Sequence, residues 1–229
     1  MQLYAITNRA LLPGTEQDRR TALIDLVRLW ASNNIDYIQV REKDLTPSEL
    51  LALTKQIVAT VRKQNTPTKI LLNGPAQVAL EAEADGIHLP ASAPTNAAEE
   101  ARSLYTRSGR EAILSHACHS LYEVLKAKEE SQQNAHATTT NTLILYAPVF
   151  EKIISTENTA NKLPGLGLES LKQAVEAAHP IPVFALGGVT KLNALTCIAA
   201  GAAGIAAIRL FLEDNWQSLK TAPNKTMPS

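Results

Sequence analysis

The chain has 229 residues with 22 acidic and 22 basic side chains, so it carries no formal net charge, and only 4% of it is aromatic. That balance excludes a basic, aromatic-rich nucleic-acid groove and suits a single α/β domain. No apolar run is long enough to span a membrane, and the N-terminus runs at once into an apolar strand with no cationic leader. The two cysteines, Cys118 and Cys197, have neither metal-ligand nor disulfide spacing, so the expected location is cytoplasmic.

In chain order, strand-like apolar runs fall at 3–7, 37–41, 70–73, 86–89, 112–116, 143–149, 183–186 and 205–208. Between them, apolar residues recur at spacings of three and four, as in Leu23, Leu26 and Trp30 or Leu50, Leu53, Ile57 and Val61. Thr46, Pro47 and Glu49 form a helix-start box, as do Ser120 and Glu123. Strands alternating with helices make parallel βαβ units, and eight of them predict a single (β/α)8 barrel over residues 1–220. The polar tract 131–141 lies between a helix and a strand, where it reads as a flexible insertion away from the chemistry. Segment 150–165 follows a strand, which puts it over the catalytic mouth as a lid or binding loop. The tail, 221–229, lacks apolar periodicity and is expected to be disordered.

Two segments point to a site. In the second strand Gln39, Arg41 and Lys43 share one face, and if that face looks into the barrel they line a pocket for an anion. The plain alternative is an exposed edge strand with solvated charges. Near the C-terminus an apolar strand ends in Gly187-Gly188, and a second one runs through Gly204 to Arg209. Two such strands in succession predict a phosphate cup on backbone amides, with Arg209 adding a charge.

The Gln39-Arg41-Lys43 strand, Asn73, Ala84-Asp85-Gly86-Ile87-His88-Leu89, His119-Ser120-Leu121, Pro148-Val149-Phe150 and Leu186-Gly187-Gly188-Val189 follow one another in a familiar order. With them the chain resembles the thiamin phosphate synthase and TenI (thiazole tautomerase) superfamily from residue 3 to about residue 211. The resemblance implies a barrel in thiamin biosynthesis that binds thiazole phosphate beneath its last two strands. In the synthase branch, magnesium held by carboxylates meets the diphosphate of a pyrimidine substrate. Here the expected Asn-Asp pair is Asn73-Gly74, the second expected carboxylate is missing from Pro90, Ala91, Ser92 and Ala93, a family Ser is Ala117, and Ser155 stands where a Lys is expected. These departures favour the TenI-like branch, a thiazole tautomerase or isomerase. That branch carries a catalytic His where this chain has Pro148, so its base would be displaced.

Candidates for that base are His88, His119 and Glu151, with His116 also placed at the mouth. Each has a plain alternative: a satisfied core imidazole for His88, helix-start hydrogen bonds for His116 and His119, a solvated charge for Glu151. Cys118 reads as structural, and Asp85, before a strand, belongs to the stability face. The expected partner is a small phosphorylated substrate, with no nucleic acid and no membrane; a homo-oligomer is left open. No cofactor is expected unless the chain is a divergent synthase, in which case magnesium is. A third reading is a non-catalytic binder of thiazole phosphate or thiamin phosphate.

Overall fold

The computed structural model describes residues 1–132, 141–156, 159–213 and 216–221. Most of the polar tract and nearly all of the tail, 133–140 and 222–229, lie outside the described residues. Eight parallel strands close into a barrel: β1 (Gln2–Ile6), β2 (Tyr37–Val40), β3 (Lys69–Leu72), β4 (Gly86–Leu89), β5 (Ile113–Cys118), β6 (Thr142–Tyr146), β9 (Val183–Leu186) and β10 (Gly204–Ala207), with β10 pairing back onto β1. The helices α1 (Glu16–Ser32), α2 (Pro47–Arg62), α3 (Ala76–Glu81), α4 (Ala97–Arg107), α5 (Leu121–Gln132), α6 (Gly167–Ala178) and α7 (Ala194–Ala199) connect them, and α8 (Ser218–Thr221) follows. This is the expected (β/α)8 barrel.

Strand side chains alternate, so every strand feeds two cores. Leu3, Ile38, Val40, Ile70, Ile87 and Ile144 belong to the core between strands and helices. Tyr4, Ile6, Leu71, Leu143, Leu145, Phe184 and Ala206 fill the barrel itself, with Tyr37 packed against them. The ring of Tyr4 stacks on Tyr37 at 5.6 Å and meets Phe184 edge-on at 5.7 Å, plugging the lower barrel.

Helix starts are set by side chains. On α2, Thr46 Oγ1 accepts from the Glu49 amide at 3.3 Å while Glu49 Oε2 accepts from the Thr46 amide at 3.0 Å, the box read from sequence. A second box, Thr15 with Asp18, starts α1. Before α5 the expected box is half displaced: Ser120 Oγ accepts from the Glu123 amide at 3.2 Å, but the Glu123 carboxylate takes the amide of His119. The expected loop over the mouth also holds an antiparallel pair, β7 (Lys152–Thr156) and β8 (Thr159–Leu163).

Candidate active site

The mouth lies at the carboxyl ends of the barrel strands. Because Ile38 and Val40 pack outward and Tyr37 inward, Gln39 points into the barrel; it is 1% exposed, and its Oε1 accepts no hydrogen bond. Arg41, one residue past the end of β2, is half-buried, whereas Lys43 is a correction: the strand has ended and it stands exposed in the turn that follows, off the strand face expected of it. Neither side chain forms an ion pair or hydrogen bond with a described residue. The Arg41 charge reaches the ring of His88 across the interior. The edge-strand alternative for this segment is excluded, since β2 is paired on both sides, to β1 and β3.

Between the two cations sits Glu42, turned the other way and 4% exposed. Its Oε1 accepts from the Thr7 hydroxyl at 2.6 Å, both carboxylate oxygens accept from the Arg9 amide at 3.1 Å, and Oε2 accepts from Arg9 Nη1 at 3.0 Å. Thr7 Oγ1 in turn accepts from the Arg41 amide at 2.9 Å. Arg9 completes its fork with Asp44 at 2.8 and 2.6 Å and with Glu16 at 2.8 Å, and these bonds hold its guanidinium well above its ordinary pKa. The sequence contained no motif around Arg9; its partners Glu42 and Asp44 lie 33 and 35 residues away.

The floor is polar. His88 Nδ1 lies 3.1 Å from Ser115 Oγ, and the Tyr4 hydroxyl donates to the same oxygen at 3.3 Å. Burial, then the charges of His116 and Arg41, push His88 down to about 3, so its ring is neutral at working pH. Asn73 sits half-buried at the rim just after β3, its amide bonded to Val40 O at 2.9 Å.

His116 is a correction. It follows Ser115, so it faces the helices, where it lines a groove of about 300 Å³ outside the barrel with Cys118, Glu123 and Lys126. Burial, reinforced by Arg102, lowers it to about 4, and its Nε2 has no partner.

At the far side of the mouth, Gly187 (φ +93°) and Gly188 (φ +65°) form the turn after β9. A Cβ at Gly187 would lie 2.8 Å from Pro148 Cα, and one at Gly188 would lie 2.7 Å from the Glu151 carbonyl oxygen, so packing against the chain after β6 already demands both glycines. Arg209 is exposed at the start of a 3-10 turn beyond β10. Gly204 is a second correction. It opens β10 at the amino end, paired with Gln2 and Phe184, and a Cβ there would meet Gln2 O at 2.2 Å. It allows close approach of β1 and β10 at the end of the barrel opposite the Gly187-Gly188 turn.

His119 is exposed, and its Nδ1 lies 2.6 Å from Ala147 O. A carbonyl only accepts, so Nδ1 carries a proton, and in the neutral ring that leaves the Nε2 lone pair open, next to Ala147-Pro148. Glu151 is exposed next to the Gly187-Gly188 turn.

The positions that would supply magnesium ligands do not fit that ion. A Cβ at Gly74 would start 3.0 Å from Leu50 Cδ2 and 3.3 Å from Leu72 Cγ, toward α2, and Ala93 packs against the helix-side core. Among the described residues no group of three or more His, Cys, Asp or Glu is arranged to hold a metal.

A closed barrel with an unpaired Gln39 oxygen inside it, Arg41 and Lys43 without a partner among the described residues just past β2, and a glycine turn after β9 defines the class: a (β/α)8 barrel, whose site lies at the carboxyl ends of the strands. The family model described as thiamine monophosphate synthase matches residues 3–211, and the chain belongs to that family, whose work is in thiamin biosynthesis. The "Putative thiamine-phosphate synthase 2" of Aquifex aeolicus (strain VF5) is 32% identical over 213 residues, covering 93% of this chain and 98% of that protein. A "Thiamine-phosphate synthase" of Caldanaerobacter subterraneus is 29% identical, covering 90% of this chain and 84% of the relative. Among solved structures, the thiamine phosphate pyrophosphorylase from Pyrococcus furiosus superposes with a TM-score of 0.69 at 25% identity, over 95% of this chain and 90% of that one. Among the described residues no helix is long and apolar enough to cross a membrane.

Proposed function

We propose that the chain joins a pyrimidine methyl diphosphate to a thiazole phosphate, as a divergent thiamin phosphate synthase working in the cytoplasm. The names of its relatives turn the reading from the isomerase favoured by sequence alone to this transfer. The observation that carries it is the Arg41 and Lys43 pair just past β2, without a partner among the described residues, next to the unpaired Gln39 oxygen inside the barrel. In this reaction the thiazole nitrogen bonds to the methylene carbon as the carbon–oxygen bond to diphosphate breaks. Charge gathers on the departing oxygens, where Arg41 and Lys43 meet it, with Asn73 donating at the rim. Gln39 accepts from an N–H of the pyrimidine. Thiazole phosphate lies across the mouth at Gly187-Gly188, with Arg209 beside it. Since Gly74 and Ala93 supply no carboxylate, the cations carry this load alone.

One observation favours a second reading, a TenI-like isomerase: His119, fixed by Ala147 O, holds Nε2 ready as a base. Purified protein given both substrates, with magnesium or with a chelator, decides between them. Chelator-insensitive formation of thiamin phosphate supports the transfer. Absence of product, together with solvent exchange of a thiazole proton that His119→Ala abolishes, supports the isomerase. Binding of thiazole phosphate with neither activity indicates a carrier.

A further inference from the structure

We infer that Arg9 is a positioning residue that sequesters Glu42 and thereby keeps Arg41 and Lys43 available to an anion. The inference rests on the reading of the mouth as a phosphoryl-anion site. A run of Arg, Glu and Lys is self-neutralising unless the carboxylate is held elsewhere. Here Glu42 is 4% exposed and satisfied three times over, by the Thr7 hydroxyl at 2.6 Å, the Arg9 amide at 3.1 Å and the Arg9 guanidinium at 3.0 Å. The Arg9 side chain is itself only 5% exposed and is locked from its other edge by Asp44 and Glu16. Arg41 directly follows β2 and its charge reaches the ring of His88 in the barrel, while Glu42 is fixed toward the β1–α1 loop and kept from it, with Lys43 exposed in the turn just beyond. Thr7 ties the two halves together, since its Oγ1 accepts from the Arg41 amide while its proton goes to Glu42. Without Arg9, a buried carboxylate would lose its charged partner and be drawn to the nearest cations, which are those of the site.

The test is binding of inorganic pyrophosphate by calorimetry. Arg9→Gln is expected to weaken it about tenfold or more, and Arg9→Gln combined with Glu42→Gln to regain most of that loss, because the competing charge is gone while Gln still accepts from Thr7. Arg9→Lys, which keeps the charge and gives up the fork to Asp44, is expected to bind within a few fold of the unaltered protein, and it serves as the deciding variant if Arg9→Gln does not fold. A double variant as weak as Arg9→Gln alone, or an Arg9→Lys variant that folds but binds tenfold or more weakly, overturns the inference and leaves the anion site standing. Unchanged affinity in Arg41→Ala instead overturns the anion site itself, and the role of Arg9 with it.

Discussion

Arg41 shows how far a single residue can be read. Its parity with Gln39 was visible in the sequence, and the structure adds that its side chain is half-buried and has no ion pair or hydrogen bond with a described residue. Deleting it orphans no buried partner, so Arg41→Ala should leave the thermal midpoint nearly unchanged while weakening pyrophosphate binding about tenfold or more. A joint fall in stability and binding would mean that the side chain props the barrel instead. His116 was misplaced for a reason the sequence already contained. His116 and His119 stand three apart at the end of one strand, and in an extended chain residues three apart face opposite sides. Arg9 was illegible because nothing local marks it; loop closure brings it to Glu42 and Asp44.

At the scale of elements, the helix starts follow local chemistry and the turn after β9 follows packing. Thr46→Ala removes the Oγ1 that accepts from the Glu49 amide at the start of α2, three residues beyond Lys43, and should cost about 1 kcal/mol in urea unfolding. Gly187→Ala forces a side chain at φ +93° and puts its Cβ 2.8 Å from both Cα and Cβ of Pro148. It should destabilise by about 1 kcal/mol or more even with no ligand present, because the contact belongs to the fold. An alanine variant that matches the original in unfolding and loses only thiazole phosphate affinity would assign the glycine to the ligand alone. Seven of the eight barrel strands lay within two residues of their sequence-derived bounds, since apolar runs between polar helix starts leave little freedom. The sixth ended at Tyr146, three residues early, where Ala147-Pro148 begins the turn toward Gly187. β7 and β8 escaped notice because the chain between them offers Thr156-Glu157-Asn158-Thr159 and none of the Asn-Gly or Asp-Gly pairs that announce a hairpin.

Among the described residues the barrel carries two buried imidazoles, His88 and His116, and this ties its stability to pH. Burial holds His88 at about 3 and His116 at about 4, both below the value near 6.5 expected of the unfolded chain. Above pH 6.5 both states are neutral at these positions and folding bears no penalty. As pH falls below that value the unfolded chain binds protons that the folded barrel refuses, so stability drops until each folded pKa is reached. The carboxylates held low, Asp18 by Thr15, Glu49 by Thr46, Asp44 by Arg9 and Glu16 by Arg20, add stability that is present above their ordinary value near 4 and is lost only as pH falls below it. Between about pH 6.5 and 4.5 the slope therefore belongs to the histidines, on the order of 2 kcal/mol apiece by pH 5. Denaturation at pH 7.5 and pH 5.0 should show that loss, and His116→Leu, which removes a ring with an unpartnered Nε2, should remove about half of it. Equal slopes in the two proteins would mean that His116 takes up its proton inside the folded barrel. In that case the groove beside Cys118 would have to be wet, and Arg102, whose guanidinium lies near that ring, would have to move away.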